Sequence, residues 1–484
     1  MPYQTKPLST NIISDTDSYK HGHSRLLNPD LNSNYEYIEA RVGGKDNFLA
    51  SAGIQAIVAQ NLLTPVTKHD LEEAKEISFE CHGYPTVDEK AWTHVIDNLG
   101  GILPMTIKII PEGTILEKGN ALLTAETKDP IFAKILGSLE PTLMQSWYPS
   151  AVLTRDAKIK SRIYPYFLKS GCLESLDWAV HDFGLRGTTC LQHGEIGGLA
   201  HLIAFRGSDN LRASRAVNAF YDGGYAAKSV WATEHSVALS FGSGMGEYAY
   251  LNHVLNVVPE NQIASVVIDT YDPHGFIRNV AGDSIIMARI KERTGRVVFR
   301  PDSGNPLIVP VEIIELLGEI YGYSYNHAGY KVLNHNVGVL QGDGMNEDSI
   351  VELYKILLNA GWAASNLVVG SGGGLLVEGL TRDTHRFAMK PSVGLIGENY
   401  INFTKRPLTD PTKTSKGGFM KVLKGYESRY QTITSANTSA GAFNGYIDSM
   451  RVLYDHGKYN PESFDTIKAR FEQHLSLLTA GVIA

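Results

Sequence analysis

The sequence predicts an α/β fold centred on a (β/α) barrel of seven or eight strands within residues 177–390. Short apolar runs recur through this stretch at intervals of 20 to 40 residues. Helical periodicity fills most of the gaps, as in 311–322 and 346–360. Nearly every run ends in acidic or glycine residues, as barrel strands do at the face that carries active sites. A doubly wound open sheet is the structural alternative.

The apolar runs define the candidate strands. They are marked by Trp178, Leu202, Val230, Val266, Val297, Val337, Leu367 and Phe387. The residues before and after this stretch have a different pattern of apolar residues. Before residue 177 the pattern predicts an extended segment at 35–39, helices near 51–63, 68–80 and 88–99, a strand pair in 103–120 and a long helix over 131–169, broken near Pro141 and Pro149. Residues 391–484 begin in Lys-, Thr- and Gly-rich loops and end in a helical pattern.

Composition narrows the class of protein. Of the 484 residues, 43% are hydrophobic and 20% are charged, which is typical of a globular chain and excludes disorder as the main state. The net charge of −7 argues against wholesale binding to nucleic acid or anionic membranes. The three cysteines, Cys81, Cys172 and Cys190, are widely spaced, which favours neither a disulfide framework nor a zinc site. With no apolar leader or spanning run visible, we expect a cytoplasmic protein.

Polar residues at the predicted strand ends suggest a functional face. They are Asp182, Asp209, Glu234, His235, Asp269, Arg300, Asp302, Gly342, Asp343 and the glycines of 370–374. A single acid at a strand end is commonly a helix N-cap. A run of such residues around one barrel face indicates a site instead.

The segment GSGGGLL at 370–376 is a candidate phosphate loop. Clustered glycines allow backbone N–H groups to surround a phosphate, and barrels commonly bind phosphate after their last strands. No GK[ST] follows, so this is not a Walker A loop. Arg300 and Arg382 are candidates to clamp phosphate oxygens. The alternatives are a flexible turn and surface ion-pair partners.

Two carboxylates, Asp269 and Asp302, end neighbouring candidate strands and predict a Mg²⁺ site shared with a phosphorylated ligand. Asp343 would add a third oxygen ligand or bind ribose hydroxyls. His235 follows Glu234 directly, and a strand-end histidine serves as general base, nucleophile or structural residue. The residues alone leave these three roles open.

The motifs as a set are similar to those of nicotinamide phosphoribosyltransferases, a family of type II phosphoribosyltransferases. They run in family order from about residue 11 to 420: DTDSYK (15–20), PEGTILEKGN (111–120), QSWYP (145–149), HDFGLRG (181–187), FRGSDN (205–210), EHS (234–236), DTYD (269–272), RPDSGNP (300–306), QGDG (341–344), GSGGGLL (370–376) and LTRD (380–383).

This resemblance implies a reaction and an architecture. Nicotinamide and phosphoribosyl pyrophosphate would give nicotinamide mononucleotide and pyrophosphate, with Mg²⁺ as cofactor and ATP hydrolysed as co-substrate. The fold would be an irregular (β/α) barrel over 177–390 plus a second α+β domain built from 1–176 and 391–484. The protein would be a homodimer with active sites shared between subunits.

The resemblance also implies residue roles. Phe183 and the other subunit's Tyr19 would sandwich the nicotinamide ring, as suits a flat aromatic. Asp209 would accept a hydrogen bond from the amide and would repel the carboxylate of nicotinic acid. The remaining ligand contacts would come from Arg186 near the ring or phosphate, from Arg300, Asp302, Asp269, Gly342 and Asp343 around ribose, pyrophosphate and Mg²⁺, and from Gly373, Gly374, Arg382 and Lys390 around phosphate.

His235 matches the histidine that ATP phosphorylates in this family. A carboxylate would orient its second ring nitrogen, and Glu234, Asp269 and Asp302 are all candidates. Two positions depart from the family pattern. Ala388 stands where relatives carry a serine that contacts phosphate, and Leu185 replaces an aromatic.

Three other functions compete with this interpretation. A nicotinate phosphoribosyltransferase would share the barrel, but Asp209 argues against it. A sugar-phosphate aldolase would use Lys390 at a strand end as a Schiff-base lysine. A non-catalytic nucleotide-binding homologue would have no need for His235, Asp269 and Asp302 together with the glycine loop.

Overall fold

The computed structural model describes residues 9–243, 245–425, 429–435 and 447–481. The chain divides into two compact units. The first contains 1–154, 219–223 and 380–484, and the second contains 155–218 and 224–379. The division predicted from the sequence falls instead after residues 176 and 390.

The described strands, in chain order, are β1 (Leu31–Ala40), β2 (Phe48–Ala50), β3 (Thr106–Ile109), β4 (Ile115–Glu117), β5 (Ala121–Thr127), β6 (Val180–Asp182), β7 (Gly207–Ser208), β8 (Trp231–Ala232), β9 (Ala264–Val267), β10 (Val297–Arg300), β11 (Tyr323–Tyr325), β12 (Lys331–Leu333), β13 (Val337–Gln341), β14 (Leu367–Ser371), β15 (Phe387–Ile396), β16 (Asn399–Asn402), β17 (Phe419–Lys424), β18 (Tyr430–Ser435), β19 (Arg451–Asp455) and β20 (Lys458–Tyr459).

The described α-helices are α1 (His23–Leu26), α2 (Ile54–Asn61), α3 (Lys68–His82), α4 (Glu89–Thr93), α5 (Glu140–Met144), α6 (Trp147–Lys169), α7 (Leu191–Ala204), α8 (Leu211–Tyr221), α9 (His235–Leu239), α10 (Gly246–Val257), α11 (Pro273–Gly275), α12 (Ser284–Glu292), α13 (Val309–Tyr321), α14 (Glu347–Asn359), α15 (Gly373–Leu376) and α16 (Phe464–Thr479). In the same ranges, 3₁₀ turns cover Ser18–Gly22, Phe132–Lys134, Leu136–Leu139, Leu173–Trp178, Leu185–Gly187, Ala364–Asn366 and Pro411–Lys413, and π-helical turns cover His94–Asn98 and Phe276–Ala281.

The second unit is built on a parallel sheet in the order β7-β6-β14-β13-β10-β9-β8. An isolated parallel bridge joins Gly207 of β7 to Lys228, just before β8. Ser208 N donates to Lys228 O at 3.0 Å, and Lys228 N donates to Arg206 O at 3.0 Å. This seam closes the sheet into an irregular barrel, which confirms the predicted fold class with seven strands.

Strands β9 and β13 of the barrel are buried along their whole length, and strands β6, β10 and β14 each contain at least one half-buried residue. Parallel strands covered on both faces read as continuous apolar runs, which is why the sequence revealed them. Some helices between the strands begin after residues whose side chains cap the first backbone N–H groups. Asn346, for example, caps α14 by accepting from Ser349 N at 3.2 Å, and Ser349 Oγ accepts from Asn346 N at 2.8 Å.

Two of the eight strand markers were wrong. Leu202 lies in α7, which is buried on nearly all sides, and a wholly apolar run cannot distinguish a buried helix from a buried strand. Phe387 begins β15, which pairs antiparallel with β1 in the first unit rather than joining the barrel. The aldolase alternative fails with it, because Lys390 lies in this antiparallel strand and not at the end of a barrel strand.

The first unit contains a seven-stranded sheet in the order β16-β15-β1-β5-β3-β19-β20, with every neighbouring pair antiparallel. The N-terminal strands β1, β5 and β3 lie in the middle of this sheet and the C-terminal strands lie at its two edges, so both chain ends contribute to one sheet, as predicted for the second domain. The strands of 103–120 form, but β3 pairs with β5 and β4 with β2. Throughout the described ranges, helices fall short of the length and apolarity that a bilayer crossing requires.

Candidate functional site

Two cavities lie at the carboxyl ends of the barrel strands in the second unit. The first, of about 400 Å³, is lined by the loops after β13 and β14, including Gly342, Asp343, Gly373 and Gly374. The second, of about 710 Å³, is lined by residues after β6, β7 and β8, including Asp209 and His235. Both lie at the face where active sites form in parallel barrels.

Phe183, Arg186, Arg300 and Asp302 line both cavities. The structure therefore brings together the sequence-predicted residues of the barrel at one continuous site, with glycine loops on one side and Asp209 on the other. A ligand spanning both cavities would meet the two arginines and the Asp302 carboxylate at its middle.

At two positions of the glycine loops, neighbouring atoms leave no room for a larger residue. A Cβ at Gly374 would lie 2.3 Å from Met345 O, and one at Gly342 would lie 2.6 Å from Asp302 Oδ1. Gly373 faces open space in the cavity. Helix α15, which follows the loop, has only four residues, so the backbone of the loop itself is the main anion-binding element.

Two buried polar atoms beside this cavity have no hydrogen-bond partner in the described part of the chain: Arg300 Nε and Gln341 Oε1. Arg300 Nε lies 3.8 Å from Asp302 Oδ1, which is an ion pair but beyond hydrogen-bond distance. Unsatisfied buried donors are costly in the free protein. An unsatisfied arginine donor here suits an oxyanion ligand.

In the second cavity, an aromatic ring and a carboxylate are fixed near each other. Phe183 follows β6, and a Cβ at Gly370 would lie 2.1 Å from its ring, so glycine at 370 makes room for it. Ser229 Oγ donates a short hydrogen bond to Asp209 Oδ1. These residues offer a flat apolar surface and a hydrogen-bond acceptor.

His235 is the first residue of α9, and its Nε2 lies 3.0 Å from Asp269 Oδ1. Asp269, not Glu234 or Asp302, is the carboxylate that orients this imidazole. Glu234 Oε1 instead accepts from Ser236 Oγ at 2.5 Å. With Nε2 donating to Asp269, the Nδ1 lone pair is available as a nucleophile or base.

The fit of a metal can be judged from the donor set. Among the described residues, no group of three or more His, Cys, Asp and Glu side chains is arranged to hold a metal ion. Mg²⁺ commonly takes only one or two carboxylates and completes its shell with water and substrate phosphates. Asp302 fits that requirement, whereas one oxygen of Asp269 is committed to His235.

The other predicted site residues lie in the first unit. Tyr19 is 59% exposed. Arg382 is exposed and pairs with Asp383 at 2.8 Å. Lys390 is half-buried in β15 and donates to Met389 O at 2.6 Å, and burial lowers its pKa.

Sequence reasoning missed the residues that support the site. Arg155 Nη1 donates to the carbonyls of Gly374 and Leu375 at 2.7 and 2.9 Å, so it braces the glycine loop. Ser229 holds Asp209, and Asn210 Nδ2 donates to Asp182 Oδ2 at 3.1 Å. Arg155 and Ser229 lie outside the motifs, so only long-range contacts identify them.

Comparisons with known proteins find relatives among nicotinate and nicotinamide phosphoribosyltransferases. The sequence model of the nicotinate phosphoribosyltransferase (NAPRTase) family matches residues 178–444, and that of the nicotinamide phosphoribosyltransferase N-terminal domain matches residues 11–107. A nicotinamide phosphoribosyltransferase of Xanthomonas campestris pv. campestris is 36% identical over 416 residues, which cover 86% of this chain and 88% of the relative. One of Mycoplasma pneumoniae is 31% identical over 334 residues, covering 65% and 71%.

Solved structures show the same fold at low identity. Human nicotinic acid phosphoribosyltransferase aligns with a TM-score of 0.61 at 15% identity, covering 97% of this chain and 96% of that one. Nicotinate-nucleotide pyrophosphorylase of Pyrococcus furiosus aligns with a TM-score of 0.62 at 13% identity, covering 99% of each chain.

Proposed function

Because the chain belongs to the nicotinamide phosphoribosyltransferase family, we propose that it makes nicotinamide mononucleotide for NAD salvage. The ring nitrogen of nicotinamide would attack C1 of phosphoribosyl pyrophosphate as the bond from C1 to the pyrophosphate oxygen breaks. The observation that carries this proposal is the pair of adjoining cavities that share Phe183, Arg186, Arg300 and Asp302. One cavity suits a phosphosugar and the other a flat amide.

Nicotinamide binds in the second cavity in this proposal. Phe183 stacks on the ring, Arg186 lies beside it, and Asp209 accepts a hydrogen bond from the carboxamide N–H. Nicotinate would bring a second carboxylate to Asp209, which costs affinity through like-charge repulsion. Asp209 is therefore the residue that we expect to select amide over acid.

The phosphosugar binds in the first cavity. Gly373 and Gly374 surround the 5′-phosphate, Gly342 and Asp343 bind the ribose, and Arg300 reaches the pyrophosphate through donors that include the unsatisfied Nε. Asp302 would hold Mg²⁺, with Asp269 limited to its second oxygen. When bound, Mg²⁺ neutralises charge on the departing pyrophosphate.

ATP hydrolysis enters through His235. Nδ1 of His235 would bond to the γ-phosphorus of ATP as the bond from that phosphorus to the ADP oxygen breaks, so ADP leaves. The proton stays on Nε2 of His235, which donates it in a hydrogen bond to Asp269 throughout. The 3.0 Å contact between the two side chains supports phosphorylation at Nδ1 rather than Nε2.

A homodimer completes the site in this proposal. Tyr19 of a second copy covers the free face of the nicotinamide ring, and Arg382 and Lys390 have the phosphate-binding role that the family resemblance implies. The high exposure of Tyr19 supports a partner from outside its own chain.

The deciding experiment measures product from purified protein with Mg²⁺ and phosphoribosyl pyrophosphate, given nicotinamide or nicotinate, each with and without ATP. We expect nicotinamide mononucleotide, in greater yield with ATP, and little product from nicotinate. His235→Gln should lose the ATP effect. The matched control is His274→Gln, because His274 also pairs with a carboxylate, Glu312, at 2.9 Å.

Product from nicotinate alone would move the assignment to a nicotinate phosphoribosyltransferase. No product from either base would favour a non-catalytic nucleotide-binding role.

A further inference from the structure

The carboxylate of Asp182 links the segments that carry Phe183 and Asp209. Asp182 ends β6 and is fully buried. Its Oδ1 accepts from Gly184 N at 2.7 Å, and its Oδ2 accepts from Asn210 Nδ2 at 3.1 Å. Gly184 directly follows Phe183, and Asn210 directly follows Asp209. The Asp182 side chain therefore bonds to the residue that follows Phe183 and to the residue that follows Asp209.

The backbone reinforces this link. Asp209 N donates to Asp182 O at 3.1 Å, and Phe183 N donates to Ser371 O at 3.0 Å. Both residues are thus held by their own amides as well as through their neighbours. Asp182 therefore bonds to the backbone of Asp209 and to both neighbouring residues, and Ser371 holds the backbone of Phe183.

Asn210 is fixed by several contacts of its own. Its Nδ2 also donates to Gly194 O at 2.8 Å, and its Oδ1 accepts from Ala213 N at 3.1 Å. A Cβ at Gly198 would lie 2.5 Å from Asn210 Nδ2 and 2.9 Å from Asp182 Oδ2. Helix α7 therefore needs a glycine at this position to admit the Asp182–Asn210 pair.

A second buried pair supports β7, the strand that leads to Asp209. His201 Nδ1 lies 3.1 Å from Asp156 Oδ2, and its Nε2 lies 3.1 Å from Gly207 O at the start of β7. Burial lowers the pKa of His201, but the Asp156 carboxylate outweighs it and raises that pKa above its usual value. The hydrogen bonds of this pair reach Gly207, whereas those of the Asp182 side chain reach Gly184 and Asn210, and the two groups interact only through their charges.

We propose that Asp182 is a positioning residue for nicotinamide, which sets the Phe183 ring against the Asp209 carboxylate through Gly184 and Asn210. This inference rests on the proposed function, because it takes Phe183 and Asp209 as the nicotinamide contacts. Asp182 borders the second cavity, but its side chain is fully buried and its two carboxylate oxygens are bound to Gly184 and Asn210. Its loss should therefore affect nicotinamide binding and leave the phosphosugar side unchanged.

The test uses Asp182→Asn and Asn210→Ala in the full-length protein. An asparagine at 182 offers one oxygen instead of two, so one of the two bonds is lost. We expect KM for nicotinamide to rise about tenfold, which corresponds to about 1.4 kcal/mol, with KM for phosphoribosyl pyrophosphate within twofold of the native value. The two variants share the bond between Asp182 and Asn210, so their effects in the double variant should fall short of the sum of the single effects.

Asp156→Asn is the control, because it changes an equally buried carboxylate in the same way. It should lower the melting temperature and leave the ratio of the two KM values unaltered. Equal increases of both KM values in Asp182→Asn, or the same nicotinamide-specific increase in Asp156→Asn, would overturn the proposal. If Asp182→Asn does not fold, Asn210→Ala gives the same comparison.

Amide hydrogen exchange separates this inference from the proposed function. If the native protein makes no nicotinamide mononucleotide, the proposed function fails, but exchange at Gly184 and Asp209 still tests the positioning role. Faster exchange at both amides in Asp182→Asn would support it. Native protection at both would contradict it.

Discussion

His235 and Asp269 form a pair in which the carboxylate is almost wholly buried and the imidazole is 42% exposed. The buried carboxylate fixes the ring, and His235 lines the second cavity. The 3.0 Å bond between them is the geometry that the proposed phosphorylation at Nδ1 uses.

Replacing Asp269 with Asn tests this orientation. An amide can turn its NH₂ group toward Nε2, which favours the ring tautomer with its proton on Nδ1 and blocks attack from that atom. We expect phosphate transfer from γ-labelled ATP to the protein to fall at least about tenfold. Phosphoribosyl transfer measured without ATP should fall less than the labelling does, because Asp302 remains to hold Mg²⁺.

Glu312→Gln is the control for Asp269→Asn. It alters the carboxylate partner of another histidine, His274, which lies outside both cavities. The Glu312→Gln variant should take up as much phosphate from γ-labelled ATP as the native protein does. Equal labelling of Asp269→Asn and the native protein would show that Asp269 does not orient the nucleophile.

Two neighbouring glycines should respond differently to alanine. At Gly374 a Cβ would meet the Met345 carbonyl at 2.3 Å, so the loop must shift and the protein should lose about 1–3 kcal/mol of stability. At Gly373 the Cβ enters the open cavity. Gly373→Ala should raise KM for phosphoribosyl pyrophosphate severalfold with an unchanged melting temperature.

Thermal melts and substrate titrations of the two glycine variants check this split. A native KM in Gly373→Ala would mean that the loop does not contact the phosphosugar.

Ser229→Ala should weaken nicotinamide binding selectively. The hydroxyl donates to Asp209 Oδ1, and a hydrogen bond to a charged group contributes about 1.5–3 kcal/mol. Because Asp209 lies at an open cavity where water replaces part of that bond, we expect KM for nicotinamide to rise by roughly three- to tenfold. Steady-state kinetics with both substrates measures it.

Ser240→Ala is the matched change, since Ser240 Oγ donates to a carbonyl of its own helix turn, Val237 O. A similar KM in both serine variants would remove Ser229 from the recognition of nicotinamide.

Glu36 should make the stability of the first unit depend on pH. Burial, with the nearby Glu140, raises the pKa of Glu36 from 4.5 to about 7. The folded state therefore holds a proton between these values that the unfolded state has lost, and stability falls as pH rises from 4.5 to 7. Glu36→Gln removes this loss and should be more stable than the native protein at pH 8, by up to about 3 kcal/mol.

Chemical unfolding at pH 4.5 and pH 8 measures the Glu36 effect. The exposed Glu76→Gln variant should track the native protein at both values. A Glu36→Gln advantage that is equal at the two pH values would show that its source is packing and not ionisation.

The sequence predicts the barrel well because its strands are buried on both faces and end in polar residues. The strand-end pattern singled out His235, Arg300 and Asp302, which line the cavities, and it reached Asp209 through a run that proved to be helix α7. The pattern could not assign Leu202 to a helix, because a wholly apolar run fits a buried helix as well as a buried strand. It also could not assign Phe387 to the antiparallel sheet, because an apolar run does not show which strand it will pair with. It also could not choose among Glu234, Asp269 and Asp302 for His235, because that choice depends on distances between strands.

The barrel seam between Gly207 and Lys228 has a consequence for motion. Elsewhere in the barrel, neighbouring described strands pair over two or more residues, whereas a single bridge joins the chain here, with two backbone hydrogen bonds. Asp209 and Ser229 lie on opposite sides of this seam, one residue beyond the bonded groups Ser208 and Lys228. Any transient opening of the seam would part them, so we expect the lifetime of the proposed nicotinamide pocket to depend on these two backbone hydrogen bonds.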